Sequence, residues 1–209
     1  MNSGFTYLKQ RGFTSETVKE FDLMYYDGNT TYGLDTTQQR GVCDDVKPFF
    51  KDTFKNSILF PVFNLYNELV AVTARRFDGK PKFDSSSFNK RSILYGLNKT
   101  YKDILLKDAV FITEGPFDFL MLWQTGIRNC VSSYGCNLNY EQYCLCARFT
   151  TNFNIIYDND DAGKTGADKA KKLITAYGGT CNIINLPYDL DEYIIKYGVE
   201  EFLKHVHTK

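Results

Sequence analysis

The chain has 209 residues, 43% of them hydrophobic and rich in Phe (17) and Tyr (15), enough for one large core or two small ones. No apolar run approaches the roughly 18–20 residues that span a bilayer. The N-terminus, MNSGFTYLKQRGF, lacks the apolar centre and cleavage pattern of a signal peptide, so a soluble cytoplasmic protein without membrane contact is expected. Net charge is zero but unevenly spread: residues 1–107 hold 16 Lys+Arg against 12 Asp+Glu, and residues 108–209 hold 9 against 13.

In LKQRGFTSETVKEFDL, Thr14-Ser15 ahead of Glu16 predicts the cap of a short helix. Residues 27–52 read as polar and irregular. SILFPVFNLYNELVAVTARRF (57–77) predicts two strands joined by a turn at Tyr66-Asn67-Glu68. Gly79, Pro81 and the serines at 85–87 mark a loop. Further on, AVFIT (109–113), CVSS (130–133), NFNIIY (152–157) and CNIINL (181–186) are strand candidates. Between and after them lie helical patterns at Phe117–Thr125, Tyr140–Phe149, Gly163–Tyr177 and Asp191–Val206, the last broken near Gly198. This alternation implies an α/β fold with a mostly parallel, three-layer sheet. The change in composition places a domain boundary near Lys107, dividing the chain into 1–107 and 108–209.

Two acidic stretches, FITEGPFDFL around Glu114 and NIIYDNDDAGKTGADKA around Asp158, put carboxylates at strand ends just before helices. In an open parallel sheet, ligands bind there. Asp158 and Asp160 share one face of an extended segment. Asp118 follows Glu114 by one helical turn and can point back toward it. Such carboxylates repel one another unless a cation neutralises them, and all-oxygen donors suit Mg²⁺ or Mn²⁺. Helix capping is the structural alternative for these acids, above all for Asp161. The six Cys form no paired CxxC units and read as reduced thiols; Cys130–Cys146 fall on the expected sheet and helix rather than in a zinc site. Gly163-Lys164-Thr165 is no phosphate-binding P-loop, because the first Gly of that pattern would have to stand at Asp158. Basic residues concentrate in 75–102, which hints at nucleic-acid or nucleotide contact.

EGPFD, followed 44 positions after Glu114 by DND-DAG, resembles the Toprim signature of primases, topoisomerases and some nucleases. YLKQRGFTSETVKEF, ILFPVFNLYNELVAVTARRF, KPKFDSSSFNKRSILYGL and LPYDLDEYIIKYGVEEF are similar, in this order, to successive segments of the DnaG-type (bacterial and phage) primase catalytic core. The resemblance covers nearly the whole chain. It implies a Toprim-type, mostly parallel sheet flanked by helices, preceded by a smaller basic α+β subdomain. It also implies a metal-dependent centre at Glu114, Asp118, Asp158 and Asp160, with Asp189 and Asp191 as a third acidic cluster. Arg11, Arg75, Lys82 and Lys90 match basic positions that line the groove for template and incoming nucleotide, whereas Arg76 and Arg91 read as surface. The chain departs from the family pattern at Asn159, where a glycine is usual, at Pro116, at Ser57 and in a shorter third acidic segment.

The implied activity is DNA primase: template-directed synthesis of short RNA primers on single-stranded DNA from ribonucleoside triphosphates, with Mg²⁺ or Mn²⁺ held by the carboxylates. No Cys/His zinc module precedes the matching segments and no helicase-binding domain follows them. A replicative helicase or separate zinc-binding protein is therefore an expected partner, as would suit a phage or plasmid system. Two other readings stay open: a Toprim nuclease using the same acids, and a non-catalytic single-stranded-DNA-binding subunit of a replication complex.

Overall fold

The computed structural model of the chain describes residues 3–33, 45–77 and 81–207. It divides into two compact units, Met1–Phe88 and Asn89–Lys209. The expectations that touch Cys43, Asp78, Gly79 and Lys80, and the stretch 34–44, lie outside the described residues. No described helix is long and apolar enough to cross a membrane.

The first unit opens with α1 (Ser3–Gln10) and α2 (Ser15–Glu20). Gly12, at φ +79°, takes the left-handed conformation that ends α1. Thr14 caps α2 as expected, its hydroxyl accepting the Thr17 N–H at 3.2 Å. A five-stranded antiparallel sheet follows, in the order β2-β1-β3-β4-β5, built from β1 (Met24–Tyr26), β2 (Thr31–Gly33), β3 (Ser57–Phe63), β4 (Leu69–Arg76) and β5 (Phe83–Ser85). The β3–β4 hairpin matches its prediction, with Asn67 at φ +63° in the turn. Pro61 is tolerated in β3 because, among the described residues, β1 pairs only with Ser57–Leu59 and no strand pairs with Pro61 on that side.

Two expectations for this unit need correction. Residues 27–52 are not wholly irregular, because β2 pairs back onto β1 through a turn in which Asp27 Oδ1 accepts the N–H groups of Asn29 and Thr30, both at 2.7 Å. The segment read as a loop around Pro81–Ser87 contains β5, paired along Thr73–Arg75 of β4. Phe54, Ile58, Leu59 and Phe60 are fully buried and anchor this unit's core.

The second unit carries a four-stranded sheet in the order β7-β6-β8-β9, with every neighbouring pair parallel. Its strands are β6 (Val110–Thr113), β7 (Cys130–Ser132), β8 (Asn152–Ile156) and β9 (Thr180–Ile183). The helices are α3 (Leu97–Lys107), α4 (Pro116–Gln124), α5 (Tyr140–Ala147), α6 (Asp161–Ala176), α7 (Leu190–Tyr197) and α8 (Val199–His207). The predicted strands and helices of this half are present within a few residues of their expected ends. The break near Gly198 is real, with that residue at φ +82° between α7 and α8. From β6 the chain steps outward to β7, and from β8 it steps the other way to β9. Right-handed crossovers then place α4 and α6 on opposite faces of the sheet. The strand order reverses between β6 and β8, which is the topological switch point of an open sheet.

α3 was not anticipated, although Leu97, Thr100 and Ile104 are its buried stripe. This helix lies in the second unit, which begins at Asn89, while the shift in charge falls near Lys107.

Candidate active site

The switch point sets the geometry. Thr113 and Ile156 are paired at the ends of β6 and β8, so Glu114 and Asp158 leave adjacent strands side by side. The Glu114 carbonyl accepts from Gly135 N–H at 2.9 Å and from Ser132 Oγ at 3.0 Å, pinning this corner to the loop after β7. Ser133 Oγ donates to the Thr113 or Gly135 carbonyl, at 3.1 and 2.7 Å, and lies 3.1 Å from the Tyr157 hydroxyl. Burial raises the Tyr157 phenol pKa, so it is a neutral hydrogen-bonding group here.

Gly115 is the N-cap of α4 and Pro116 its first residue, where a missing N–H costs nothing. Asp118 completes this turn, its Oδ2 accepting Gly115 N–H at 3.2 Å. On the other strand, Asp160 is the N-cap of α6 and Oδ1 accepts Gly163 N–H at 2.7 Å. Gly163 allows that turn to close, since a Cβ there would stand 2.2 Å from the Asp158 carbonyl oxygen. The capping roles weighed from the sequence therefore exist for Asp118 and Asp160, and each engages one carboxylate oxygen.

Asp189 occupies the N-cap position of α7 without capping it; its Oδ1 instead accepts the Asn159 N–H at 3.4 Å. Asn159 Nδ2 also donates to the Pro187 carbonyl at 3.1 Å, tying the Asp158–Asp160 turn to the third acidic segment. Asp191 is only 6% exposed and accepts the N–H of Glu192 at 2.9 Å, so it serves the first turn of α7.

Electrostatics show which acids share a field. Glu114 is pushed up to about 7, first by burial and then by the charges of Asp158, Asp160 and Asp189, against a lowering hydrogen bond from the Asp158 N–H. Asp158 is pushed up to about 6 by burial and then by Asp189 and Asp160. The structure thus brings Glu114, Asp158, Asp160 and Asp189 into one cluster. A cation beside them would relieve this repulsion, and their hard oxygens fit a divalent ion such as Mg²⁺. Among the described residues no three His, Cys, Asp or Glu side chains stand close enough together in this conformation to hold a metal ion. Cys136, in the loop between β7 and α5 rather than on an element as expected, has its thiol pushed up by burial and then by Glu114. Among the described residues, the five cysteines are free thiols.

The basic candidates are spread over both units. Arg11 Nη1 donates to the Tyr7 hydroxyl at 3.2 Å, and Arg75 Nε and Nη2 donate to the same oxygen at 3.4 Å each. Beside them opens a cavity of about 390 Å³, lined by Thr6, Tyr7, Gln10, Arg75, Arg76 and Phe77. Arg76, read from the sequence as a surface residue, lines this cavity. Its Nε is buried with no hydrogen-bond partner among the described residues. Tyr7 and Phe77 were also missed; only the Tyr7–Arg11 spacing of four on α1 could have signalled the first. Lys82 is exposed beside β5, and its carbonyl accepts the Arg76 N–H at 2.9 Å. Lys90 is exposed in a short 3₁₀ turn of the second unit, held by Gln142 Nε2 on its carbonyl at 3.1 Å. Arg91 pairs with Glu141 at 3.5 Å.

Comparison with known proteins agrees with this architecture. Residues 1–101 match the family described as the N-terminal domain of the DNA primase catalytic core, and residues 111–194 match a Toprim-like family. A DNA primase of Staphylococcus epidermidis is 32% identical over 96% of this chain, and the chain spans 37% of that relative's length. The zinc-binding and RNA polymerase domains of Aquifex aeolicus primase superpose with a TM-score of 0.81 at 26% identity, covering 99% of this chain and 56% of that one. A DnaG primase catalytic domain bound to single-stranded DNA superposes at 0.79, with 23% identity, over 99% of this chain and 71% of that one. From its first helix to its third acidic segment, the chain belongs to the DnaG-type primase catalytic-core family, with a Toprim domain as its second unit.

Proposed function

We propose that this chain is the synthetic core of a DNA primase, joining ribonucleotides into short RNA primers on a single-stranded DNA template. The observation that carries the reading is the cluster of Glu114, Asp158, Asp160 and Asp189 at the switch point of a primase-type Toprim sheet, with two of its members pushed toward neutrality. Glu114, Asp158 and Asp160, with Asp189 beside them, are the groups that would hold Mg²⁺ or Mn²⁺. Such an ion supplies neutralising charge to phosphate oxygens. Asp118 and Asp191 shape the turns that present these acids. An ionised carboxylate of this cluster can take up the proton that a primer 3′-hydroxyl releases.

In this reading Arg11, Arg75, Lys82 and Lys90 bind phosphates of the template and the incoming ribonucleoside triphosphate, because guanidinium and ammonium donors pair with anionic oxygens. A replicative helicase or a separate zinc-binding protein belongs to the same proposal as the partner that presents template, in a bacterial, phage or plasmid replication system working in the cytoplasm.

The test is incorporation of labelled ribonucleotides on single-stranded DNA with Mg²⁺ or Mn²⁺. Wild type should make short template-dependent RNA, and Asp158→Asn should lose about 100-fold or more of it while keeping its fold. Metal-dependent shortening of the DNA without ribonucleotides would instead make the chain a nuclease. Binding with neither chemistry, alone or with partners, would leave a binding subunit.

A further inference from the structure

The hydroxyl of Tyr7 sits where two guanidiniums meet. Arg11 reaches it from one turn further along α1 and Arg75 from β4, through three donor contacts of 3.2–3.4 Å. Two like charges converging on one neutral oxygen is a costly arrangement unless something holds them. Here the holding is visible. The Tyr7 ring packs on Phe77 with centroids 5.0 Å apart, Arg11 lies over the Tyr7 ring at 6.0 Å, and Arg75 lies over Phe83 at 5.1 Å. Burial pushes the phenol pKa up, but the hydrogen bonds and charges of Arg11 and Arg75 outweigh it, so the hydroxyl is more acidic than usual. Its oxygen is thus a good acceptor for the two guanidiniums.

Arg75 turns its Nε and Nη2 edge, the edge by which arginine grips a phosphate through two parallel donors, onto the Tyr7 oxygen, which holds that edge in one orientation. The cavity of about 390 Å³ opens at this point, and Arg76 lines it too. A space lined by two arginines calls for an anionic or polar occupant.

We propose that Tyr7 is a positioning residue whose hydroxyl holds Arg11 and Arg75 as a ready-made pair for one backbone phosphate of single-stranded nucleic acid, which settles into the adjoining cavity. The inference rests on the reading above that Arg11 and Arg75 face nucleic acid, and adds what aligns them. Preformed donors lose less freedom when the phosphate arrives, so binding is tighter than two independent arginines would give.

Tyr7→Phe keeps the ring on Phe77 and removes only the shared oxygen. Binding of a fluorescent thymidine oligomer would be followed by anisotropy between about 50 and 200 mM salt. The variant, with its thermal unfolding checked, should bind several-fold more weakly at low salt. The slope of log K against log [salt] should fall in magnitude by about 0.7, the value of one phosphate contact on a single strand. Arg75→Gln should then cost less in the Tyr7→Phe background than in wild type. An unchanged salt slope, or an undiminished cost of Arg75→Gln, overturns the proposal. If Tyr7→Phe does not fold, the pair Arg11→Gln and Arg75→Gln decides: a double variant no worse than either single supports a unit, and additive losses overturn it. If neither arginine variant changes binding at all, the reading of Arg11 and Arg75 as nucleic-acid contacts fails first and takes the proposal with it.

Discussion

Asn159 braces Asp189: its backbone N–H reaches the Asp189 carboxylate at 3.4 Å while its side chain donates to the Pro187 carbonyl at 3.1 Å. Where the family usually has glycine, this chain has a side chain that ties one acidic segment to the next. Asn159→Gly keeps the backbone donor and removes the amide bond, whose net worth is about 0.5–1.5 kcal/mol. The expected outcome is a divalent-ion requirement raised about 2- to 12-fold, with synthesis at saturating metal nearly unchanged. Titrating Mg²⁺ or Mn²⁺ against primer synthesis checks it; an unchanged half-saturation point would remove Asn159 from the centre.

Much of this was legible in the chain because the second unit obeys local rules. The Glu114 and Asp158 segments declare themselves as strand ends followed by helix starts, and both capping and the shared electrostatic field follow from those positions. β2 and β5 were not legible, because each is three residues long and exists only through its partner strand. In α3 the stripe of Leu97, Thr100 and Ile104 is diluted by Thr and flanked by lysines, so its period was hard to see. The Tyr7–Arg75 contact joins residues far apart in sequence and appears only once α1 lies beside β4. The cap duties of Asp118 and Asp160 were foreseen as rivals to a site role, and both are present.

Two glycines of α6 test how tightly the site is framed. A Cβ on Gly163 would stand 2.2 Å from the Asp158 carbonyl oxygen, and one on Gly166 would stand 2.1 Å from that of Cys136. Both neighbours are backbone, which cannot swing aside as a flexible side chain can. Gly166→Ala should destabilise the chain by about 1–3 kcal/mol by overpacking. Gly163→Ala should lose a similar amount of stability and also displace Asp158, cutting synthesis more than its stability loss explains. Denaturant unfolding of both variants, with activity assayed well below the transition, separates the two effects.

Burial and mutual repulsion in the acidic cluster have a pH signature. Folding raises Glu114 from 4.5 to about 7 and Asp158 from 3.8 to about 6. The folded chain therefore holds these protons more tightly than the unfolded one. The stabilisation so gained is fully present below about pH 4 and is lost as pH rises through 6 and 7. Glu114→Gln, whose amide oxygen can still accept the Asp158 N–H, should be more stable than wild type at pH 8. About 1 kcal/mol is expected after allowing for solvent screening at a half-exposed site. In a chain of this size that is about 2–4 °C in Tm, and the difference should close as pH falls toward 4.5. A divalent ion acts on the same repulsion from the other side. With a Kd of about 1 mM, 10 mM Mg²⁺ should stabilise wild type by about 1.4 kcal/mol at pH 8. Glu114→Gln, with less negative charge to neutralise, should gain less. Thermal unfolding of both proteins at pH 5 and pH 8, with and without Mg²⁺, measures all of this; equal Mg²⁺ shifts in the two proteins would show that Glu114 does not feel the ion.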